Sequence, residues 1–271
     1  MKEVTDLEAL RDTLAKELPY SIQAVESVKH QLIFKYNPAK TCFVSEDSSL
    51  VVIKEVSVDD LPLFTIYCNE KDVSKIESDL RGILSWKDPW AIGCVPNYMV
   101  PVLKKIALSH GPETNLEVND CWVVILDPKV KLPEIELKPN WEVKQIPPSD
   151  ATFVNKMWRY RSDSSLDLIK AQTNLGLGFG TYVDGELASS TVTFNFGLLG
   201  AVATAEHHRR KGLAQITLAF GSNYLRSLGL NPFGYVETYN SPSLSMIKKV
   251  GYTHTHDGPW MFWKRPKPTD K

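Results

Sequence analysis

The most constraining stretch of this chain runs from Leu198 to Ala214 and reads LLGAVATAEHHRRKGLA. Leu198 to Ala205 carry no charge and one hydroxyl, the composition of a buried strand. A polar elbow follows, Glu206 to Lys211. Gly212, Leu213 and Ala214 then open a segment in which Leu213, Ile216, Phe220, Tyr224 and Leu228 recur at the spacing of one helix face. Gly229 stands where a helix C-cap glycine belongs. Strand, basic elbow and helix start make an anion site, because the free N–H groups of a helix N-terminus and its dipole both face the ligand. Gly212 and Ala214 let a large anion approach the backbone, and Arg209, Arg210 and Lys211 add positive charge.

A second segment, Asn240 to Tyr252, follows a short strand-like run, Phe233 to Thr238. Pro242 suits the first turn of a helix and Gly251 its C-cap. Arg209-x-x-Gly212-x-Ala214 after an apolar strand, followed by Asn240-x-x-Ser243 and Lys249-Val250-Gly251-Tyr252, resembles the acyl-CoA signature of the GNAT acyltransferase superfamily. The resemblance implies that acetyl-CoA or another acyl-CoA is the co-substrate. The amides of Arg209, Arg210, Lys211, Gly212, Leu213 and Ala214 would hold its pyrophosphate. Asn240, with Ser243 beside it, would contact the pantetheine arm, and an amide of Val202, Ala203 or Thr204 would polarise the thioester carbonyl. Val154-Asn155-Lys156-Met157-Trp158, Leu228-Gly229-Leu230, Val236 to Asn240 and Leu84-Ser85-Trp86-Lys87 narrow the likeness to the glycine N-acyltransferase branch. That branch moves an acyl group to the amino group of a small amine such as glycine.

Composition sets the outer bounds. The chain of 271 residues is 43% apolar and 23% charged, with net charge −1, which points to neither nucleic acid nor an acidic membrane as partner. No apolar run reaches the length of a spanning helix, and MKEVTDLEAL lacks the apolar core of a signal peptide. An intracellular, cytoplasmic setting is expected; the branch resemblance adds the mitochondrion. Cys42, Cys68, Cys94 and Cys121 form no C-x-x-C pair, so they read as buried thiols rather than a zinc site or disulfides.

Along the chain, Thr5-x-x-Glu8 is a capping-box pattern before Leu7, Leu10, Leu14 and Leu18. Ser21 to Phe34 reads as mixed strand. Thr41–Val44 and Leu50–Val56 form a hairpin, and Leu63–Cys68 another strand. Asp72–Trp86 reads as helix, Trp90–Val95 as strand, Val100–Leu108 as helix and Val118–Leu126 as one strong strand. Five prolines between Asp127 and Pro148 mark a linker, in which Trp141–Ile146 could open the next domain as an edge strand. Helices near Ser149 and Ser165, a hairpin through Asp184-Gly185, the two motif segments and a last strand at Pro259–Lys264 complete the GNAT order. The tail from Arg265 reads as frayed.

The fold class is therefore α+β. Residues 149–271 form an acyl-CoA-binding GNAT domain, 128–148 a Pro-rich linker, and 1–127 an N-terminal domain without the CoA elbow. Both halves end in strand, Asn, a Pro-started helix with a Lys-Lys pair, and strand: Asn97 with Lys104-Lys105, and Asn240 with Lys248-Lys249. Either the first half is a degenerate GNAT-like duplicate that binds no CoA, or two α+β domains resemble each other by chance.

The chemistry needs a base, because a primary amine of pKa ~10.4 is mostly protonated near neutral pH. The acid Tyr that many GNAT enzymes carry would fall on Ile247, and the strand Glu expected of the glycine branch on Leu198. Glu237 is the remaining candidate base, or else a surface carboxylate; Tyr239 is the candidate proton donor to the thiolate. His207 and His208 are bases, phosphate contacts or solvated turn residues, and their spacing suggests no metal site. Trp260 and Trp263 line the acyl pocket or pack in a core. Two further readings are a protein N-acetyltransferase and a non-catalytic acyl-CoA-binding protein.

Overall fold

The computed structural model describes residues 1–36, 40–56, 61–134, 136–162 and 164–264. The first repeat runs β1 (Lys2–Val4), α1 (Leu7–Ala15), α2 (Ile22–Phe34), β2 (Thr41–Val44), β3 (Leu50–Val56), β4 (Pro62–Cys68), α3 (Glu77–Ile83), β5 (Trp90–Ile92), α4 (Val100–Leu108), β6 (Leu116–Asn119) and β7 (Cys121–Leu126). The second runs β8 (Trp141–Gln145), α5 (Ala151–Met157), α6 (Ser165–Asn174), β9 (Gly178–Val183), β10 (Glu186–Thr193), β11 (Leu199–Thr204), α7 (Leu213–Ser227), β12 (Phe233–Glu237), α8 (Ser241–Val250), β13 (Tyr252–Asp257) and β14 (Trp260–Trp263). The two orders match element for element, so the likeness between the halves extends to their topology.

The closing strands are exchanged. One sheet has the order β1-β2-β3-β4-β5-β14-β6, a second β11-β10-β9-β8 and a third β12-β7-β13. β14 closes the second repeat in sequence but pairs with β5 and β6, Met261 lying opposite both Ile92 and Val118. β7 closes the first repeat and lies between β12 and β13. The chain accordingly divides into Met1–Val123 with the segment from Thr255, and Val124–His254. This corrects one sequence expectation. Val118–Leu126 is two strands in different sheets, interrupted at Asp120. Of the two tryptophans read as pocket or core, Trp263 is fully buried in the core of the first unit with Trp90, Ile92 and Leu103, and Trp260 is half-buried on the same strand.

Other differences have local causes. Ser21–Phe34 is helix α2, not strand. Its Ala24, Val25 and Val28 pack on Leu10, Leu14, Val51 and Ile53, but Gln23, Glu26, Ser27 and His30 are buried as well, and these polar residues hide the helical period. Asp6, not Thr5, caps α1, its Oδ1 accepting from Ala9 N–H at 3.0 Å. Helix α3 has only seven residues, preceded by a 3-10 turn at Glu70–Asp72. The Pro-rich stretch contains β8, the edge strand expected at Trp141–Ile146, which pairs with β9. Its start is pinned by Arg226, whose guanidinium donates to Val130 O at 2.8 Å and to Asp127 O.

All four cysteines are buried thiols. No helix among the described residues is long and apolar enough to cross a membrane. The tail from Arg265 lies outside the described residues.

Candidate active site

Helix α7 sets the site's position. Its buried face is Leu213, Thr217, Leu218, Gly221, Ser222 and Leu225, while Ile216, Phe220, Tyr224 and Leu228 of the expected stripe are only half-buried. Small and hydroxyl residues let the helix sit close to the sheet. Thr217 Oγ1 meets Thr181 Oγ1 at 2.7 Å, and Ser222 Oγ meets Tyr252 Oη at 2.8 Å. A Cβ on Gly221 would stand 2.7 Å from the ring of Phe179.

The elbow before α7 has the backbone of an anion cradle. Ala205 N–H closes on Ala188 O, and a 3-10 turn spans Glu206–His208. Arg210 (φ 66°) and Gly212 (φ 85°) are both left-handed, and Gly212 is the N-cap of α7. The first capped amide is Gln215 N–H, which donates to Gly212 O at 3.0 Å. The N–H groups of Lys211, Gly212, Leu213 and Ala214 find no acceptor among the described residues. No acid lies in the first turn of α7. Nothing lies within 4 Å of a Cβ built on Gly212, so glycine is required there by its φ and by open approach rather than by crowding.

Strand β11 leads into this elbow with one edge open. It pairs with β10 on one side only, while β12 belongs to another sheet. At its near end the two strands touch: a Cβ on Gly234 would lie 3.4 Å from Leu199 O. Ser190 pairs with Ala203 and Val192 with Gly200, so β11 carries one extra residue, and Ala201 takes φ 50°. This bulge breaks the ladder alternation beside Val202, Ala203 and Thr204, all half-buried.

Glu237 ends β12, and the structure brings two tyrosines to it. Tyr239 Oη and Tyr160 Oη both donate to Glu237 Oε1, and the two hydroxyls lie 3.4 Å apart. The Arg159 guanidinium covers the two rings, 5.3 Å from Tyr160 and 5.9 Å from Tyr239. The Tyr160 hydroxyl is raised above its ordinary pKa by partial burial, then by its bonds to Glu237 and Tyr239, and so stays a donor. Trp158 holds this loop by packing on Phe194, ring centroids 5.5 Å apart. Asn240 caps α8, its Oδ1 accepting from Ser243 N–H at 3.2 Å. Ile247 and Leu198, where family acids were expected, are both buried.

Residues 174–261 match the FR47-like protein family. A GCN5-related N-acetyltransferase from Kribbella flavida aligns with 90% of this chain and 97% of its own, with TM-score 0.57 and 12% identity. A tandem GNAT protein from the clavulanic acid biosynthesis pathway aligns over 98% of both chains, with TM-score 0.52 and 13% identity. The chain has the GNAT fold. An X-ray structure of a Drosophila protein covers 98% of this chain and 99% of its own, with TM-score 0.84 and 15% identity. No curated protein sequence matches the chain.

Within this GNAT fold, sequence reasoning missed Tyr160 and Arg159. Both sit in the loop between α5 and α6, Tyr160 77 residues before Glu237, and only the tertiary fold joins them. The sequence also gave no reason to join Glu186 to the elbow. Pairing of β10 with β11 does so, and ligand atoms of Glu186, His207 and His208 lie within 4.8 Å of one another. His208 is nearly buried, and its pKa is lowered by burial first, then by His207 and Lys211.

Proposed function

We propose that the second repeat binds acyl-CoA and transfers its acyl group to the amino group of a small amine, such as glycine or another amino acid. The observation that carries this reading is the run of unpaired N–H groups from Lys211 to Ala214, opening beside a strand whose free edge faces the gap before β12. A CoA diphosphate would sit on those amides, with Arg209, Arg210 and Lys211 supplying charge. The pantetheine would run along the open edge of β11 toward Asn240, whose Oδ1 is used in capping and whose Nδ2 is left to donate. An amide of Val202, Ala203 or Thr204 would polarise the thioester carbonyl, a donor of the kind worth about 3 kcal/mol in other enzymes.

Glu237 is assigned as the base that takes the amine proton, directly or through a water. Tyr160 and Tyr239 hold its carboxylate, and Tyr239 is assigned to offer a proton to the departing thiolate, to be restored from the protonated Glu237 it touches. The likeness to the glycine N-acyltransferase branch supports an amino acid as acceptor. The apolar residues at Ile247 and Leu198 favour a second reading, an acyl-CoA-binding protein without turnover.

Calorimetric titration with acetyl-CoA and CoA, followed by thiol release in the presence of glycine, tests the assignment. Saturable binding with glycine-dependent release is expected. Binding without release across a panel of amines would leave the binding-only reading, and no binding would sink both.

A further inference from the structure

We propose that Glu186, His207 and His208 form a binding site for a divalent transition metal ion of the zinc class. The three residues are brought together by strand register. Ser189 lies opposite Thr204, so Glu186, three residues earlier, stands beside the turn that begins at Glu206. That turn is fixed by two backbone bonds of 2.9 Å, Ala205 N–H to Ala188 O and His208 N–H to Ala205 O. The two imidazoles are tilted against each other with centroids 4.2 Å apart.

The donor set fits, and its spacing is within reach of side-chain rotation. One ligand atom from each residue lies within 4.8 Å of the other two. Tetrahedral zinc with ligands at 2.0–2.1 Å needs donors about 3.3 Å apart. Glu186 and His207 are both exposed, so their side chains can rotate to close the difference. His208 supplies the fixed point, at 9% exposure. Two imidazole nitrogens and one carboxylate oxygen suit zinc, cobalt or nickel rather than the all-oxygen preference of calcium and magnesium. Three protein ligands leave a fourth position to water.

The charges around His208 fall on both sides. Glu186 and Asp184 face it from the β9–β10 hairpin, and His207 and Lys211 from the elbow. Lys211 Nζ lies 3.3 Å from His208 Nδ1. An ammonium can only donate, so this contact keeps the imidazole proton on Nε2 and leaves no second lone pair for a metal. Lys211 must therefore swing away when the ion binds. It is exposed and free to do so.

The test is titration of the untagged full-length protein with cobalt(II), read by visible absorption, and displacement of the cobalt by zinc. One ion per chain is expected, without a thiolate charge-transfer band. E186Q and H207A should each weaken binding at least about tenfold, a loss of the size that even outer-shell changes produce. K211A should tighten it severalfold. Because His208 is buried, the exposed positions carry the test, with circular dichroism confirming their fold. No stoichiometric binding at sub-millimolar cobalt, unchanged affinity in both E186Q and H207A, or a thiolate band would each overturn the proposal. None of these readouts involves CoA, so the outcome stands apart from the acyl-transfer reading.

Discussion

The two repeats share one order of elements and differ in the turn that follows β11 and β4. After β11 the second repeat has a basic elbow, a left-handed glycine and a fifteen-residue helix with no acid in its first turn. After β4 the first repeat has Asn69, whose side chain caps its own 3-10 turn at Lys71 N–H, and then the seven-residue α3 with Glu77 and Asp79 in its first turn. Acids at a helix N-terminus satisfy the dipole and repel a phosphate. The strand edge differs too, because β4 pairs with β5 at Leu63 and Phe64 whereas β11 ends its sheet. Tyr98 Oη donates to Cys68 O at 2.7 Å, so the last carbonyl of β4 is already taken. A helix that follows the fourth strand of a repeat is thus not enough to leave amides open: in the first repeat Asn69 Oδ1 takes Lys71 N–H, while in the second the amides of Lys211 to Ala214 find no acceptor among the described residues.

The largest effect that would break this comparison is catalytic. Glu237→Gln should lower the turnover of glycine-dependent thiol release about 10²- to 10⁴-fold, while CoA affinity by calorimetry stays at the wild-type value. Undiminished turnover would return Glu237 to the role of a surface carboxylate. The next effect falls on the elbow. Gly212→Val forces a β-branched residue to φ 85°, and the turn must relax to avoid strain of about 1–2 kcal/mol. Relaxation moves the amides off the anion, so CoA should bind about 10- to 100-fold more weakly with the fold intact by circular dichroism. Wild-type affinity in a folded variant would mean that the diphosphate lies elsewhere.

Much of the second repeat is legible in the sequence because local chemistry there is unambiguous. Asp184-Gly185 forms its hairpin turn, Gly229 and Gly251 take left-handed positions after their helices, and Asn240 caps α8. The first repeat is harder, because α2 buries Glu26, Ser27 and His30 on what should be a polar face. The exchange of β7 and β14 is not legible at all. An apolar strand such as Trp260–Trp263 fits either sheet by composition, and only pairing partners distinguish them. Tyr160 was invisible for a related reason, since a tyrosine in a polar loop acquires a role only when Glu237 is brought to it.

A smaller effect concerns the plugged edge of the first repeat. Tyr98→Phe removes the bond to Cys68 O and should cost about 1 kcal/mol of stability, read as a lower Tm. CoA stoichiometry should remain one per chain, because the acidic turn after β4 still lacks a cradle. A second CoA bound by this variant would show that the tyrosine alone closes the site.

The smallest effect separates the repeats by pH. The first unit buries His30, Lys40 and Glu55, with His30 Nε2 and both Glu55 carboxylate oxygens unpartnered among the described residues. Burial first, then Lys40 and Lys29, hold the His30 imidazole well below 6.5, so it is neutral in the folded state. As pH falls through 6.5 the unfolded chain takes up a proton that the folded chain refuses, and stability is lost over the window from 6.5 down to the lowered folded value. Glu55 works the other way. Burial raises its carboxyl, Lys40 opposing, so the folded state holds a proton that the unfolded chain releases, and lowering the pH favours folding there. The bare slope of Tm against pH therefore mixes two signs. The difference between wild type and His30→Gln isolates the imidazole. That difference should move in favour of the variant as pH is lowered from 7 to 5; a constant difference would mean that His30 takes up its proton in the folded state as readily as in the unfolded chain.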